Sequence, residues 1–99
     1  MRPSIVAGSV PRLPRHVKLR HDRARDRWLI LVPERVLVPD DTAVAVLSRV
    51  DGARSVRDIA ADLAQTYQAP VNVILADSVA LLQDFADNGF LAVTEAPNA

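Results

Sequence analysis

From position 17 the chain alternates apolar and polar residues. Val17, Leu19 and His21 fall on one face, and Lys18, Arg20 and Asp22 on the other, the period of a half-buried strand. Arg23-Ala24-Arg25-Asp26 turns this segment into residues 27–32. There Trp28, Ile30 and Val32 make one face apolar, and Leu29 and Leu31 the other. A strand apolar on both faces predicts cover on both sides. Val32-Pro33-Glu34-Arg35 suits a type I turn, since proline presets φ at the second position. A third short apolar strand follows over residues 35–38. Three consecutive strands joined by short turns most simply form an antiparallel meander, with 17–22 and 35–38 at its edges. No later segment is an obvious partner for the free side of 35–38. An open edge beside helices is suited to capturing an extended peptide.

After Pro39 the period changes to that of helices. Asp40 or Asp41 can cap a first helix, because a short carboxylate accepts hydrogen bonds from free backbone amides. Val44, Leu47 and Val50 mark its expected buried face, and Asp51-Gly52 its end. Ser55-Val56-Arg57-Asp58 resembles a capping box opening a second helix to about Tyr67. Its stripe is Val56, Ile59, Ala60, Leu63 and Tyr67. A long third helix is expected over residues 71–88, ending at Gly89. On it Ile74, Leu75, Ser78, Val79, Leu81, Leu82, Phe85 and Ala86 span an arc of roughly 160°. A core-facing stripe needs only about 100° or more. The surplus can serve the core, or leave one border of the helix lining a groove.

Residues 1–16 contain Pro3, Pro11 and Pro14 without sustained periodicity. They read as a flexible or partner-ordered arm ahead of a domain over 17–93, with 94–99 as a tail. The composition bears mainly on chemistry. With no cysteine there is neither a disulfide framework nor a thiolate zinc site. No apolar run approaches the roughly 18 residues of a membrane span, and no secretory signal is visible, so a cytoplasmic location is expected. His16 and His21 lack further ligands at metal-binding spacing. No serine sits in a Gly-x-Ser-x-Gly setting, and the isolated Gly8, Gly52 and Gly89 make no phosphate loop. No catalytic residue, cofactor or metal site is expected, so binding is the reading and not catalysis.

The zero net charge hides a division. Nine basic and three acidic residues lie through Arg35, against three basic and nine acidic from Val36 onward. This split suits internal complementarity, head-to-tail association or a charged partner surface. A strand hairpin with three helices also raises a winged-helix nucleic-acid-binding regulator, the competing class. Its reading helix would be the third, which carries Asp77, Asp84 and Asp87 and no Lys or Arg. Such charges oppose the phosphate attraction that dominates this kind of binding.

Pro11-Arg12-Leu13-Pro14-Arg15-His16-Val17-Lys18-Leu19-Arg20-His21-Asp22 and Trp28-x-x-x-Val32-Pro33-Glu34-Arg35 resemble the coenzyme PQQ synthesis protein D family. Asp41-Thr42-Ala43, Val50-Asp51-Gly52, Ser55-Val56 and Ala86-Asp87-Asn88-Gly89-Phe90 continue the likeness in order. It covers about residues 11–93. Val50 stands where that family usually has Cys, Pro39 where it often has Leu, and Ser78 where an apolar residue is common. The resemblance implies an α+β, winged-helix-like domain, with a three-stranded antiparallel N-terminal sheet followed by three α-helices. It implies a RiPP recognition element acting as a peptide chaperone in pyrroloquinoline quinone biosynthesis. Such a domain binds the PqqA precursor peptide as an added strand and presents it to the radical SAM enzyme PqqE, with no bond-making of its own. Carried onto this chain, the edge is Arg35, Val36, Leu37 and Val38, and the facing helix wall comes from Leu75, Ser78, Val79 and Leu82. No nucleic acid or membrane partner is implied. Splayed strands and a proline-containing arm would permit exchange between two chains, so a homodimer stands beside the monomer as an expectation.

Overall fold

The computed structural model describes residues 4–95. Five strands and three helices follow one another as β1 (Ser9–Arg12), β2 (Lys18–Asp22), β3 (Arg27–Val32), β4 (Arg35–Leu37), α1 (Asp41–Leu47), α2 (Val56–Tyr67), α3 (Val71–Asp87) and β5 (Ala92–Glu95). The expected meander is present as an antiparallel sheet in the order β2-β3-β4. Leu19 pairs with Ile30, Ile30 with Leu37 and Val32 with Arg35. That register puts Leu19, Ile30, Val32 and Leu37 on the side facing the helices, because side chains alternate between faces. Ile30 and Val32 are buried there, while Leu29 and Leu31 on the other face are only half-buried. The cover predicted for that second face is therefore partial; Lys18, the cross-strand partner of Leu31, stands beside it on the same face. Long lysine stems lie along apolar surface while their charge stays in water.

The β3–β4 turn departs from the type I expectation. Glu34 has φ +67°, and a positive φ at the third turn position is the mark of type II. The preceding hairpin shows a related economy. Asp26, at φ +48°, ends the four-residue turn, and Asp22 Oδ1 accepts the Ala24 N–H at 3.1 Å.

The helices begin where short polar side chains can cap them. Asp40 Oδ1 accepts the Ala43 N–H at 2.8 Å to open α1. Ser55 and Asp58 form the reciprocal capping box of α2, at 3.1 and 3.2 Å, satisfying amides that helix geometry leaves unpaired. In α1 the buried face is Ala43, Val46 and Leu47, so Leu47 is buried as expected while Val44 and Val50 are only half-buried. A seven-residue helix offers too few turns for periodicity to fix its phase. Between α1 and α2, the Asp51 carboxylate accepts the N–H of Arg54 first and that of Ala53 second. Those bonds hold its pKa below the ordinary carboxylate value. The core joins Val17, Ile30 and Val32 to Val46, Leu47, Ile59, Leu63, Leu82 and Phe85.

The largest difference from the sequence reading lies at the chain ends. The arm expected over residues 1–16 is stitched into the fold over its described part. Ser9–Arg12 pairs antiparallel with Ala92–Glu95, so β5 begins before the expected boundary at 93 and extends past it. Residues 1–3 and 96–99 lie outside the described residues. Ile5 is buried in the core and its N–H donates to Gln83 Oε1 at 2.8 Å. Ala7 O accepts the Arg57 N–H at 2.9 Å, taking up a free amide of α2's first turn. Pro11 O accepts the Gly52 N–H at 3.1 Å. Gly52 has φ +78°, a left-handed conformation that glycine adopts without steric cost.

Candidate peptide-binding site

Strand β4 is an edge, hydrogen-bonded on one side to β3 and on the other to no strand among the described residues. Its two-residue turn makes Val32 and Arg35 the hydrogen-bonded closing pair of the hairpin. Antiparallel pairs alternate, so Leu31–Val36 is a non-bonded pair and Ile30–Leu37 a bonded one. The N–H and C=O of Val36 therefore point outward along the free edge, while those of Leu37 are spent on β3. Pro39 holds Val38 to extended backbone, which continues the edge by one residue. Val36 and Val38 are 55% and 65% exposed, a high value for valines flanking an unpaired strand.

Two contacts fix how β4 lies beside α3. The Arg35 guanidinium sits over the Phe90 ring at 5.5 Å, and Phe90 packs edge-on against Phe85 of α3 at 6.2 Å. The start of β4 is thus tied to the C-terminal end of α3. The far end leads through Pro39 and Asp40 into α1, whose Asp41, Thr42 and Ala45 face Ile74, Asp77 and Ser78 of α3 across a cleft. β4 thus leads from a contact near the C-terminal end of α3 toward the α1 side of that cleft.

The residues expected to form the wall divide by burial. Leu75 and Val79 are half-buried on α3 and retain accessible apolar surface. Leu82 is 0% exposed and packs wholly within the core. It supports a wall from beneath and offers no surface of its own. Ser78 is 1% exposed, and its Oγ has no hydrogen-bond partner among the described residues. On β4, Arg35 and Leu37 share the core-side face and Val36 the opposite one, as the register requires.

Sequence reasoning missed the cleft between the three helices, lined by Asp41 and Thr42 of α1, Tyr67 of α2 and Asp77 of α3 besides Ser78. Tyr67 was expected in the buried stripe of α2 but is 61% exposed at its last turn. A site assembled from three helices has no local period, so no spacing in the sequence announces it.

The coenzyme PQQ synthesis protein D model matches residues 27–91, which takes in β3, β4 and all three helices. The chain belongs to the coenzyme PQQ synthesis protein D family. Among similar proteins is the PqqA binding protein of Bradyrhizobium diazoefficiens, 54% identical over 88 residues, covering 89% of this chain and 85% of that protein. The bifunctional coenzyme PQQ synthesis protein C/D of Methylorubrum extorquens is 47% identical over 90 residues, which make up 24% of its length. The solution structure of the PqqD part of Methylobacterium extorquens PqqCD, described as a functional, stand-alone RiPP recognition element, superposes with a TM-score of 0.77. It is 44% identical, covering 89% of this chain and 94% of that one. The crystal structure of PqqD from Xanthomonas campestris gives a TM-score of 0.55 at 40% identity, covering 78% and 86%. The PqqD family is thus joined here to an α+β fold in which β4 is an edge strand with no outer partner among the described residues.

Proposed function

We propose that this chain is a peptide chaperone of pyrroloquinoline quinone biosynthesis. It binds the PqqA precursor peptide as a fourth strand on β4 and presents it to the radical SAM enzyme PqqE in the cytoplasm, without catalysing a reaction itself. The observation that carries the reading is that β4 is an edge strand with no partner on its outer side among the described residues, flanked by the exposed side chains of Val36 and Val38. The relatives named PqqA binding protein and the likeness to a solved RiPP recognition element support it.

The physics of strand addition assigns the roles. Backbone groups of Val36 and Val38 supply hydrogen bonds, and alternate side chains of the peptide find apolar surface and so set its register. Leu37, Leu75 and Val79 provide that surface, with Leu82 behind them. Arg35 shapes the start of the groove by its stacking on Phe90. Ordering a flexible peptide costs free energy, so the apolar wall is needed beside the backbone bonds.

The test is an amide-resolved NMR titration of the domain with the PqqA peptide. Shifts are expected to concentrate at residues 35–38 and along the Leu75–Val79 side of α3. Shifts confined to the basic β2–β3 hairpin, or none in a folded sample at high peptide concentration, would overturn the reading.

A further inference from the structure

The cleft at the far end of β4 has a volume of about 260 Å³, below the roughly 300–1,000 Å³ of small-molecule sites. Its size suits one long side chain. Ala45, Val46, Leu63 and Ile74 supply apolar walls. Every polar side chain lining it, Asp41, Thr42, Tyr67, Asp77 and Ser78, ends in oxygen and none in nitrogen. Asp41 and Asp77 are exposed and form no ion pair among the described residues. Asp41 is at home in the first turn of α1, where the helix dipole favours a negative charge. Asp77, midway along α3, has no such local reason.

Ser78 adds an independent observation. A helical serine ordinarily turns its hydroxyl to the carbonyl four residues earlier. Here Ser78 lines the cleft and its Oγ is buried without a partner among the described residues, a condition that native proteins seldom leave unexplained. An occupant with N–H donors and an aliphatic stem answers both features. The stem would lie on the apolar walls as basic side chains do elsewhere, with the two carboxylates, the exposed Thr42 hydroxyl and the Tyr67 ring available to the cation.

We infer that this cleft is a subsite for one lysine or arginine side chain of the bound peptide. The inference rests on the strand-addition reading and extends it. Asp41 lies four residues beyond Leu37, at most about 13 Å along the chain at ~3.3 Å per residue. A peptide strand continuing past the end of β4 for a few residues therefore reaches the cleft. The subsite fixes the peptide's register by charge where the open edge alone would allow it to slip.

The experiment measures PqqA peptide affinity at low and high salt for the unaltered chain, Asp41→Asn, Asp77→Asn, Ser78→Ala and Asp84→Asn. Asp84 is an exposed acid on α3 outside the cleft, so its variant controls for net charge. Asp41→Asn and Asp77→Asn are each expected to weaken binding about fivefold at low salt and to flatten its salt dependence. Ser78→Ala is expected to weaken binding while raising thermal stability, since the unpaired hydroxyl is gone. Replacing one basic residue of the peptide by norleucine should remove most of the Asp77→Asn effect. Binding by the unaltered chain with all three cleft variants equal to Asp84→Asn overturns the subsite and leaves the strand-addition reading standing. No binding by the unaltered chain overturns both.

Discussion

The two edges of the β2-β3-β4 sheet share a backbone pattern and differ in what their side chains permit. Lys18, Arg20, His21 and Asp22 make β2 polar, and His21 and Asp22 are further engaged by Asp26 and Arg27. Charged side chains on an edge are a common protection against unwanted strand pairing. On β4, exposed Val36 and Val38 leave the edge apolar, and Arg35 is folded back onto Phe90. One edge is defended and the other is offered. Lys18 and Arg20 of the basic first third thus find a structural use on the edge that the proposed strand addition leaves unused.

The strongest way to break this contrast is proline scanning along β4. Val36→Pro removes an N–H that faces solvent and sets a ring against an incoming strand. PqqA affinity is expected to fall at least about tenfold, with melting temperature nearly unchanged. Leu37→Pro removes an N–H bonded to β3, so it should destabilise the domain by about 2 kcal/mol as well as weaken binding. Calorimetric melting beside peptide titration separates the two positions. Equal stability loss at 36 and 37 would show that the hydrogen-bond alternation along β4 has been assigned wrongly.

A milder change sharpens the comparison by giving β4 the character of β2. Val36→Lys keeps the backbone donor, since the side chain stands on the face away from the core. Its effect is expected near threefold in affinity, well short of Val36→Pro, because the charge hinders docking without removing the bond. Peptide titration checks it, and a loss as large as that of the proline variant would assign the affinity to side chains and not to strand addition.

How much of this was legible depended on whether each signal was local. The meander, a cap at Asp40 or Asp41 and the Ser55–Asp58 box depend on neighbours within a few positions, and the sequence displays them, with the structure choosing Asp40. The β1–β5 pair joins residues some eighty positions apart, and Pro11 interrupts the pattern that would have marked β1 as a strand. The wide apolar arc of α3 was ambiguous for a different reason. Periodicity places Leu75, Ser78, Val79 and Leu82 near one another, but only the packing of three helices decides that Leu82 is interior and Leu75 a border. Ser78 looked like a weak point in an apolar wall. In the folded chain it is the buried hydroxyl of a cleft that no single helix predicts.

The smallest expected effect concerns the turn that positions the offered edge. Glu34 holds φ +67°, a left-handed conformation that costs an ordinary residue roughly 1–2 kcal/mol. Pro33 sets the preceding φ but cannot relieve this strain, and the type I expectation missed it because proline suits both turn types. Glycine adopts a positive φ freely, although it loses more freedom on folding. Glu34→Gly should therefore stabilise the domain by a net ~0.5–1 kcal/mol. Amide exchange at Arg35 and Leu37, whose N–H groups bond to β3, should slow in step with that gain. The free N–H of Val36 should stay fast until peptide binds, so one exchange experiment reads the paired and the offered sides of the same three-residue strand.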